Sequence, residues 1–312
     1  MPESNDNSFA VILNLLDVKF PLPFEIVPGH HFRKADEDEI RRVRDFLKGM
    51  PVCGDPGIPF EFNIIADGDS TEGKSLFWHP LKQEDWRYYV IAFQGVSNAM
   101  YDLRLAACLS TVELRADIQF HPNGFSLSSQ SVFTFLFEAF GHGSEYRAFE
   151  ERDLMEIRSA YYDIKNAEKE FPDIKHALQL FLSLDALPLN SDFRVLGMFA
   201  VIESAICHRP KSTETGDSLT HQVRTKLPLF THRFPDAIDY SVYFGDTPED
   251  TVWAKLYDYR SHLAHGGKPD FAGKLSVLKG RGNVATFLRV MTKALLRNSL
   301  KEPQLYMDLR EV

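Results

Sequence analysis

The stretch Leu256-Tyr257-Asp258-Tyr259-Arg260-Ser261-His262-Leu263-Ala264-His265-Gly266-Gly267 decides how the chain is read. Upstream of it, Thr247-Pro248-Glu249-Asp250 has the form of a helix start: a Thr at the N-cap, a Pro at the first helical position and acids in the first turn. Gly266-Gly267 supplies a C-terminal stop. The spacing predicts a helix from Thr247 through Leu256 and Arg260 to His265.

Working outward, the same helical periodicity extends back to about residue 151. Leu154, Ile157, Ala160, Tyr161 and Ile164 recur on one helical face. Ile174, Ala177, Leu178, Phe181 and Leu182 continue it within Phe171–Leu187, and Pro188 to Ser191 forms a turn. Phe193–His208 is strongly apolar and contains one acid, Glu203. A polar loop follows from Pro210 to Gly216, then Asp217 or Ser218 as the cap of a helix through Leu227. A last helix spans roughly 283–299. Helical segments without a strand pattern make residues 151–312 an all-α helical bundle.

Residues 1–150 are of a different kind. Phe9–Leu16, Phe24–Val27, Phe60–Ala66 and Tyr88–Phe93 are rich in aromatic and β-branched residues and read as strands. Val112, Leu114, Ala116, Ile118 and Phe120 give the cleanest period-two signal in the chain, a strand over 112–120. Asp36 to Glu39 precede Ile40, Val43, Phe46 and Leu47 at helical spacing, which predicts a helix near 36–48. Further helices are expected near 97–109 and 129–140, the second broken by Gly141-His142-Gly143. The N-terminal domain, 1–150, is therefore α+β.

The bulk numbers bound the function classes. The chain has 312 residues, enough for two domains, and is 44% hydrophobic and 25% charged. Cys53, Cys108 and Cys207 are odd in number and far apart, which excludes a disulfide framework or a cysteine-rich zinc site. Met1 to Ser8 has neither the basic nor the apolar region of a signal peptide, and the apolar stretches are too short or too interrupted to span a bilayer. A cytoplasmic location without membrane attachment is the expectation. Net charge is −9, but it is unevenly spread: residues 1–154 hold 14 Lys/Arg against 24 Asp/Glu, and residues 155–312 hold 21 against 20. Residues 268–301 contain eight basic residues and the single acid Asp270. By itself that segment reads as a solvated helix face plus a basic loop; on a phosphate-binding protein, Lys268, Arg289, Lys293 and Arg297 would meet RNA.

Arg260 and His265 are the residues with a chemistry to offer. A His supplies an acid or base near neutrality, and an Arg presents a planar fork of donors to a phosphate. The negative end of a helix dipole interacts favourably with a positive side chain at His265. Five residues turn a straight helix by about 140°, so the two side chains do not share a face. Their convergence requires a loosened last turn or a second copy of the chain. His262, three residues before His265, does share its face.

Arg260-x4-His265 followed by two glycines resembles the R-x(4–6)-H motif of HEPN domains. The run from Leu256 to Gly267 is similar to the Apea-like HEPN group in its Tyr before the Arg, its Arg-Ser and its His-Gly. The helix with Ile202-Glu203-Ser204 resembles the apolar helix that precedes the motif there. The resemblance covers about half the chain. Many HEPN domains place Asn, Asp or His after the Arg, where this chain has Ser261. The resemblance implies a metal-independent endoribonuclease with Arg260 and His265 catalytic, Ser261, His262, Glu203 and Tyr257 in support, and a homodimer through the helical domain. RNA supplies its own nucleophile, the 2′-OH, so the implied products are a 2′,3′-cyclic phosphate and a 5′-hydroxyl. A role in phage defence or as a toxin is implied, with a protein or ligand trigger acting at the N-terminal domain.

Plainer readings stand beside this one. Arg260 pairs with Asp258, Glu203 or another helix carboxylate, and His265 merely satisfies terminal carbonyls. The chain is then a non-catalytic dimerisation module that binds RNA or protein, or a small-molecule sensor centred on the N-terminal domain. Glu203 and Tyr257 read as buried partners rather than catalysts. Elsewhere, His30-His31 and His142 lack a partner at ligand spacing, so no metal is expected. Neither GxxxxGK[ST] nor GxGxxG occurs, and no cofactor is expected. Ser126, Ser128 and Ser129 lack a GxSxG context.

Overall fold

The computed structural model describes residues 7–49, 58–67, 75–128, 146–167, 170–188, 191–208 and 218–311. The chain divides into two compact units, Met1–Tyr161 and Tyr162–Val312. The first is sheet-rich and the second helical. The division falls within a helix that begins at Glu151, where the helical periodicity of the sequence begins.

In the first unit six antiparallel strands form one sheet. In chain order they are β1 (Asn7–Val11), β3 (Phe24–Val27), β4 (His30–Lys34), β7 (Tyr89–Gln94), β8 (Ile118–His121) and β9 (Gly124–Leu127), and in space the order is β3-β4-β7-β1-β8-β9. β2 (Leu16–Val18) pairs in parallel with β10 (Arg147–Phe149), and β5 (Phe62–Asp67) pairs with β6 (Ser75–Pro80). Alternate residues of β1 and β7 serve opposite faces, as pleating requires. Phe9, Val11 and Val90 join Phe120 on one face, where Val43 and Leu47 of α1 (Glu37–Lys48) pack. Ile91 points to the other, towards Met100, Leu103 and Ala107 of α2 (Ala99–Leu109).

The helix expected near 36–48 is α1, and its start is fixed by a capping box. The Asp36 carboxylate accepts from the Glu39 amide at 2.9 Å, and the Glu39 carboxylate accepts from the Asp36 amide at 2.9 Å. Arg33 on β4 then donates to both oxygens of Glu39, each at 2.7 Å. The strand expected over 112–120 is shorter. Val112, Leu114 and Ala116 are buried in alternation, but only Ile118 onward forms a ladder. The Asn14 side chain takes the place of the missing strand partner: it accepts from the Arg115 amide at 2.6 Å and donates to the Glu113 carbonyl at 3.0 Å. The strand read as Phe9–Leu16 ends at Val11, and Leu16 opens β2. The helix expected near 129–140 and the Gly141-His142-Gly143 break lie outside the described residues.

Arg104 and Asp117 form an ion pair deep in this unit, their side chains 5% and 2% exposed. Arg104 reaches Asp117 through Nε at 2.9 Å and Nη2 at 2.5 Å, which ties α2 to the segment leading into β8.

The helical part contains α3 (Glu151–Ala167), α4 (Pro172–Ser183), α5 (Asp192–Ile206), α6 (Leu219–Thr231), α7 (Tyr240–Phe244), α8 (Glu249–Ala264), α9 (Arg281–Lys301) and α10 (Pro303–Glu311). α5 is the axis: it packs against α4, α6, α8, α9 and α10. Its Val195, Met198, Phe199, Val201, Ile202 and Ile206 are buried nearly all round, as expected of a helix with neighbours on every side. Ser218 caps α6, its hydroxyl accepting from the His221 amide, and the helix runs through Pro228 to Thr231 rather than stopping at Leu227. α8 starts one residue later than its sequence suggests. Pro248 is the N-cap, and the Thr247 hydroxyl turns back to donate to the Phe244 carbonyl at 2.9 Å. The short α7 and the terminal α10, begun by Pro303 just after α9 ends, were not expected from the sequence.

Removing one member of a buried pair strands the other charge, whereas an exposed pair contributes little. Asp117→Ala is therefore expected to destabilise the first unit by about 3–5 kcal/mol. Breaking the exposed Arg41–Asp38 pair with Asp38→Ala should cost less than about 1 kcal/mol. Urea titration followed by circular dichroism measures both, and equal losses would contradict the assignment.

Candidate functional site

The C-terminal half of α8 presents its residues to three different surroundings. Tyr257 and Arg260 turn towards α5, where they share one carboxylate. The Tyr257 hydroxyl donates to Glu203 Oε1 at 3.3 Å. Arg260 Nη2 donates to Glu203 Oε2 at 3.1 Å, and Nε lies 2.9 Å from Oε1. The Tyr257 ring sits edge-on to Phe199, centroids 5.4 Å apart. Burial, then the charge of Glu203, pushes the Tyr257 phenol well up, so the hydroxyl stays protonated and acts as a donor. The Glu203 side chain is 11% exposed and that of Arg260 32%. Asp258, the nearer carboxylate in sequence, pairs instead with Lys255 at 3.3 Å. Arg260 Nη1 makes no hydrogen bond among the described residues.

Tyr259 points another way and is fully buried, edge-on to Phe271 at 5.1 Å, where it anchors the segment after the helix. Ser261, His262 and His265 face solvent.

The glycine stop closes as a complete Schellman motif. Gly267 N–H donates to the His262 carbonyl at 2.8 Å and Gly266 N–H to the Leu263 carbonyl at 3.2 Å. Gly266 sits at φ +68°, the left-handed conformation the motif needs. Gly267 has a separate reason to lack a side chain: a Cβ there would stand 3.1 Å from His262 Nδ1. His265 is the C-cap, its amide donating to the Ser261 carbonyl at 3.1 Å.

The last turn is thus regular and not loosened. Arg260, Tyr257 and Glu203 are brought together, and His262 lies against the Gly266-Gly267 turn. No hydrogen bond or ion pair joins Arg260 to His265 among the described residues. The Ser261 side chain makes no polar contact there either.

The basic residues expected to meet RNA do not form one open face. Lys268 is exposed in the loop after α8. Arg289 donates to Asp185 at 3.1 Å and lies over the Phe181 ring at 5.1 Å. Lys293 is only 8% exposed and Arg297 is half-buried. α9 therefore turns these charges inward, contrary to a solvated helix face. The partner that draws Arg289 in is Asp185, which also accepts from Arg194 Nη2 at 2.9 Å. Asp185 in Leu184-Asp185-Ala186 and Arg194 in the apolar α5 carry the same sequence signal as Glu203, a lone charge among apolar residues.

Among the described residues no group of three or more His, Cys, Asp or Glu side chains is placed to hold a metal ion, and no helix is long and apolar enough to cross a membrane. Comparison with protein-family models, with curated proteins and with solved structures finds no match to the chain.

Glu203 is the hub of the cluster. Glu203→Ala should lower the stability of the helical unit by about 1.5–3 kcal/mol, the range for hydrogen bonds to charged groups. Tyr257→Phe should cost about 0.5–1.5 kcal/mol. Gly266→Ala should cost about 1–2 kcal/mol through its left-handed backbone. Denaturant melts of the three variants measure these losses, and a neutral Glu203→Ala would show that the carboxylate is not the hub.

Proposed function

We propose that the helical unit is a metal-independent endoribonuclease of HEPN type, in which Arg260 binds and stabilises a scissile phosphate and His265 transfers the proton. The observation that carries this reading is the placement of the two residues at one helix end. Arg260 is held by Glu203 with Nη1 left over for a phosphate oxygen, and His265 is exposed beyond the last turn. A guanidinium already oriented by a carboxylate needs little reorganisation when negative charge builds on the phosphate. In the reaction the 2′-OH attacks phosphorus, a base takes its proton, and the 5′-oxygen leaves with a proton from an acid. A cyclic phosphate and a 5′-hydroxyl result. His265 serves as base or acid.

About 140° of helix separates Arg260 from His265, and the closed last turn keeps them apart. The reading therefore includes a homodimer that sets Arg260 of one copy beside His265 of the other. His262, against the glycine turn, is a supporting side chain in this reading. The exposed Lys268 is the basic residue best placed to contact the RNA backbone.

A second reading has a specific observation behind it. The Arg260–Glu203 pair is also what a purely structural arginine makes, and in that case the unit binds RNA or protein without cleaving. Incubation of total RNA and tRNA with the full chain in EDTA separates the two. Wild type is expected to yield cyclic-phosphate ends, and Arg260→Ala and His265→Ala to lose at least about 100-fold in rate. Cleavage by His265→Ala at the wild-type rate would remove that residue from the mechanism. RNA retention without cleavage would favour the binding module.

A further inference from the structure

The first unit contains a serine–histidine pair that plays no part in the helical site. His30 opens β4 and is 8% exposed. Its Nε2 lies 2.6 Å from Ser97 Oγ and its Nδ1 3.0 Å from the Pro28 carbonyl. A carbonyl oxygen only accepts, so Nδ1 carries the proton and Nε2 is left to accept from the Ser97 hydroxyl. Phe93 stacks on the imidazole, centroids 5.6 Å apart and planes 18° apart, and holds the ring in orientation. Nucleophile, base and a third group that orients the base are therefore all present, in the geometry that activates a serine.

The surroundings of Ser97 fit that role. It lies in Gly95-Val96-Ser97-Asn98-Ala99, on the turn between β7 and α2. A serine on a strand-to-helix turn, flanked by small residues two positions away, is the arrangement of a nucleophile elbow. The left-handed residue here is Gly95, at φ +63°, rather than the serine itself. Ser97 is half-buried and its neighbour Val96 is 89% exposed, so an electrophile reaches the turn from solvent. No side chain caps the first turn of α2. The Asn98 and Ala99 amides are the donors available to a developing oxyanion, since those of Met100 and Tyr101 already donate to the Ser97 and Asn98 carbonyls. Burial holds the His30 imidazole below its ordinary value, which keeps Nε2 free to accept a proton at neutral pH.

The other described serine–histidine contact differs in each respect. His121 meets Ser8 Oγ at 3.2 Å through Nδ1 and Ser126 Oγ at 3.0 Å through Nε2. Neither ring nitrogen has an obligate acceptor to fix its tautomer. Ser126 lies within β9, away from any helix start.

We propose that Ser97 and His30 form a second active site, an acyl-transfer site that hydrolyses carboxylic esters. Ser97 Oγ attacks the acyl carbon, its proton passes to His30 Nε2, and the carbonyl electron pair moves onto oxygen. Collapse expels the alcohol, which takes the proton from His30. Water then attacks the acyl-serine, giving up its proton to His30, and the carboxylic acid leaves as the Ser97 hydroxyl is restored. The net change is ester plus water to acid plus alcohol. This site is independent of the ribonuclease reading, and neither stands or falls with the other.

A fluorophosphonate probe with peptide mapping, applied to the full chain, tests the proposal directly. The expected result is one adduct per chain, on Ser97, together with hydrolysis of p-nitrophenyl butyrate. Ser97→Ala should abolish both activities, His30→Gln should slow both at least about 100-fold, and Ser126→Ala should leave both unchanged. The labelling rate should hold as pH falls to about 6.5 and drop only below it, because the folded imidazole protonates below the ordinary histidine range. No adduct on Ser97 in wild type overturns the proposal without recourse to any variant. An adduct formed equally fast in His30→Gln overturns it too. A lowered melting temperature in Ser97→Ala with an unlabelled wild type would make the pair a clamp between two turns.

Discussion

A charge taken out of water has to be met by another charge, and that requirement organises both units. Each buried ion costs several kcal/mol to desolvate, so an unmatched one is incompatible with a marginally stable fold. Among the described residues, Arg104 with Asp117, Asp185 with Arg194 and Arg289, and Glu203 with Arg260 are such matches. In each case one partner lies in an apolar helix or helical turn and the other arrives from a different part of the chain. Hydrophobic burial alone would tolerate many sliding arrangements of these helices. A carboxylate that must find its arginine tolerates few, so the pairs fix which turn of one element faces which turn of the next.

The same requirement explains which parts of the structure were legible in the sequence. α1 was legible because its whole signal is local: Asp36, Glu39 and the face of Val43 and Leu47 lie within a dozen residues. So was the end of α8, where two glycines close a Schellman motif within six residues. The alternation of Val112 to Phe120 was legible as burial but not as a strand. Asn14, about 100 residues away in sequence, takes the hydrogen bonds a neighbouring strand would have made. The basic run of α9 was misleading for a similar reason. Counting Arg289, Lys293 and Arg297 says nothing of Asp185, 104 residues from Arg289, which turns one of those charges inward. Local chemistry announces itself, whereas long-range pairing has to be seen.

At the candidate site, sequence and structure divide the work differently. The residue types and their spacing, with the partners weighed for them, came from the sequence. The choice among those partners did not: Glu203 takes Arg260, and Asp258 takes Lys255. The structure also closes one of the two routes by which Arg260 and His265 could meet. A loosened last turn would rotate one towards the other, but the hydrogen bonds from Gly266 and Gly267 keep that turn wound. On the proposed reading the second route remains, in which a second copy of the chain supplies the missing half. A composite site of that kind would make activity depend on assembly, since one copy alone offers an arginine without its histidine.

The contrast between His30 and His265 shows how far surroundings decide what a histidine can do. His30 is stacked on Phe93, and one nitrogen is committed to a backbone carbonyl, so its tautomer is fixed and burial opposes its charged form. It is prepared for one task, accepting a proton from the group opposite, and that group is a serine hydroxyl. His265 has neither a stacking partner nor a fixed tautomer, and solvent reaches it freely. Its orientation must come from a ligand or another chain. A motif search favours His265, because its spacing to Arg260 can be read in one line of sequence. Preorganisation favours His30, whose partners Pro28, Phe93 and Ser97 come together only when β4, β7 and the start of α2 do.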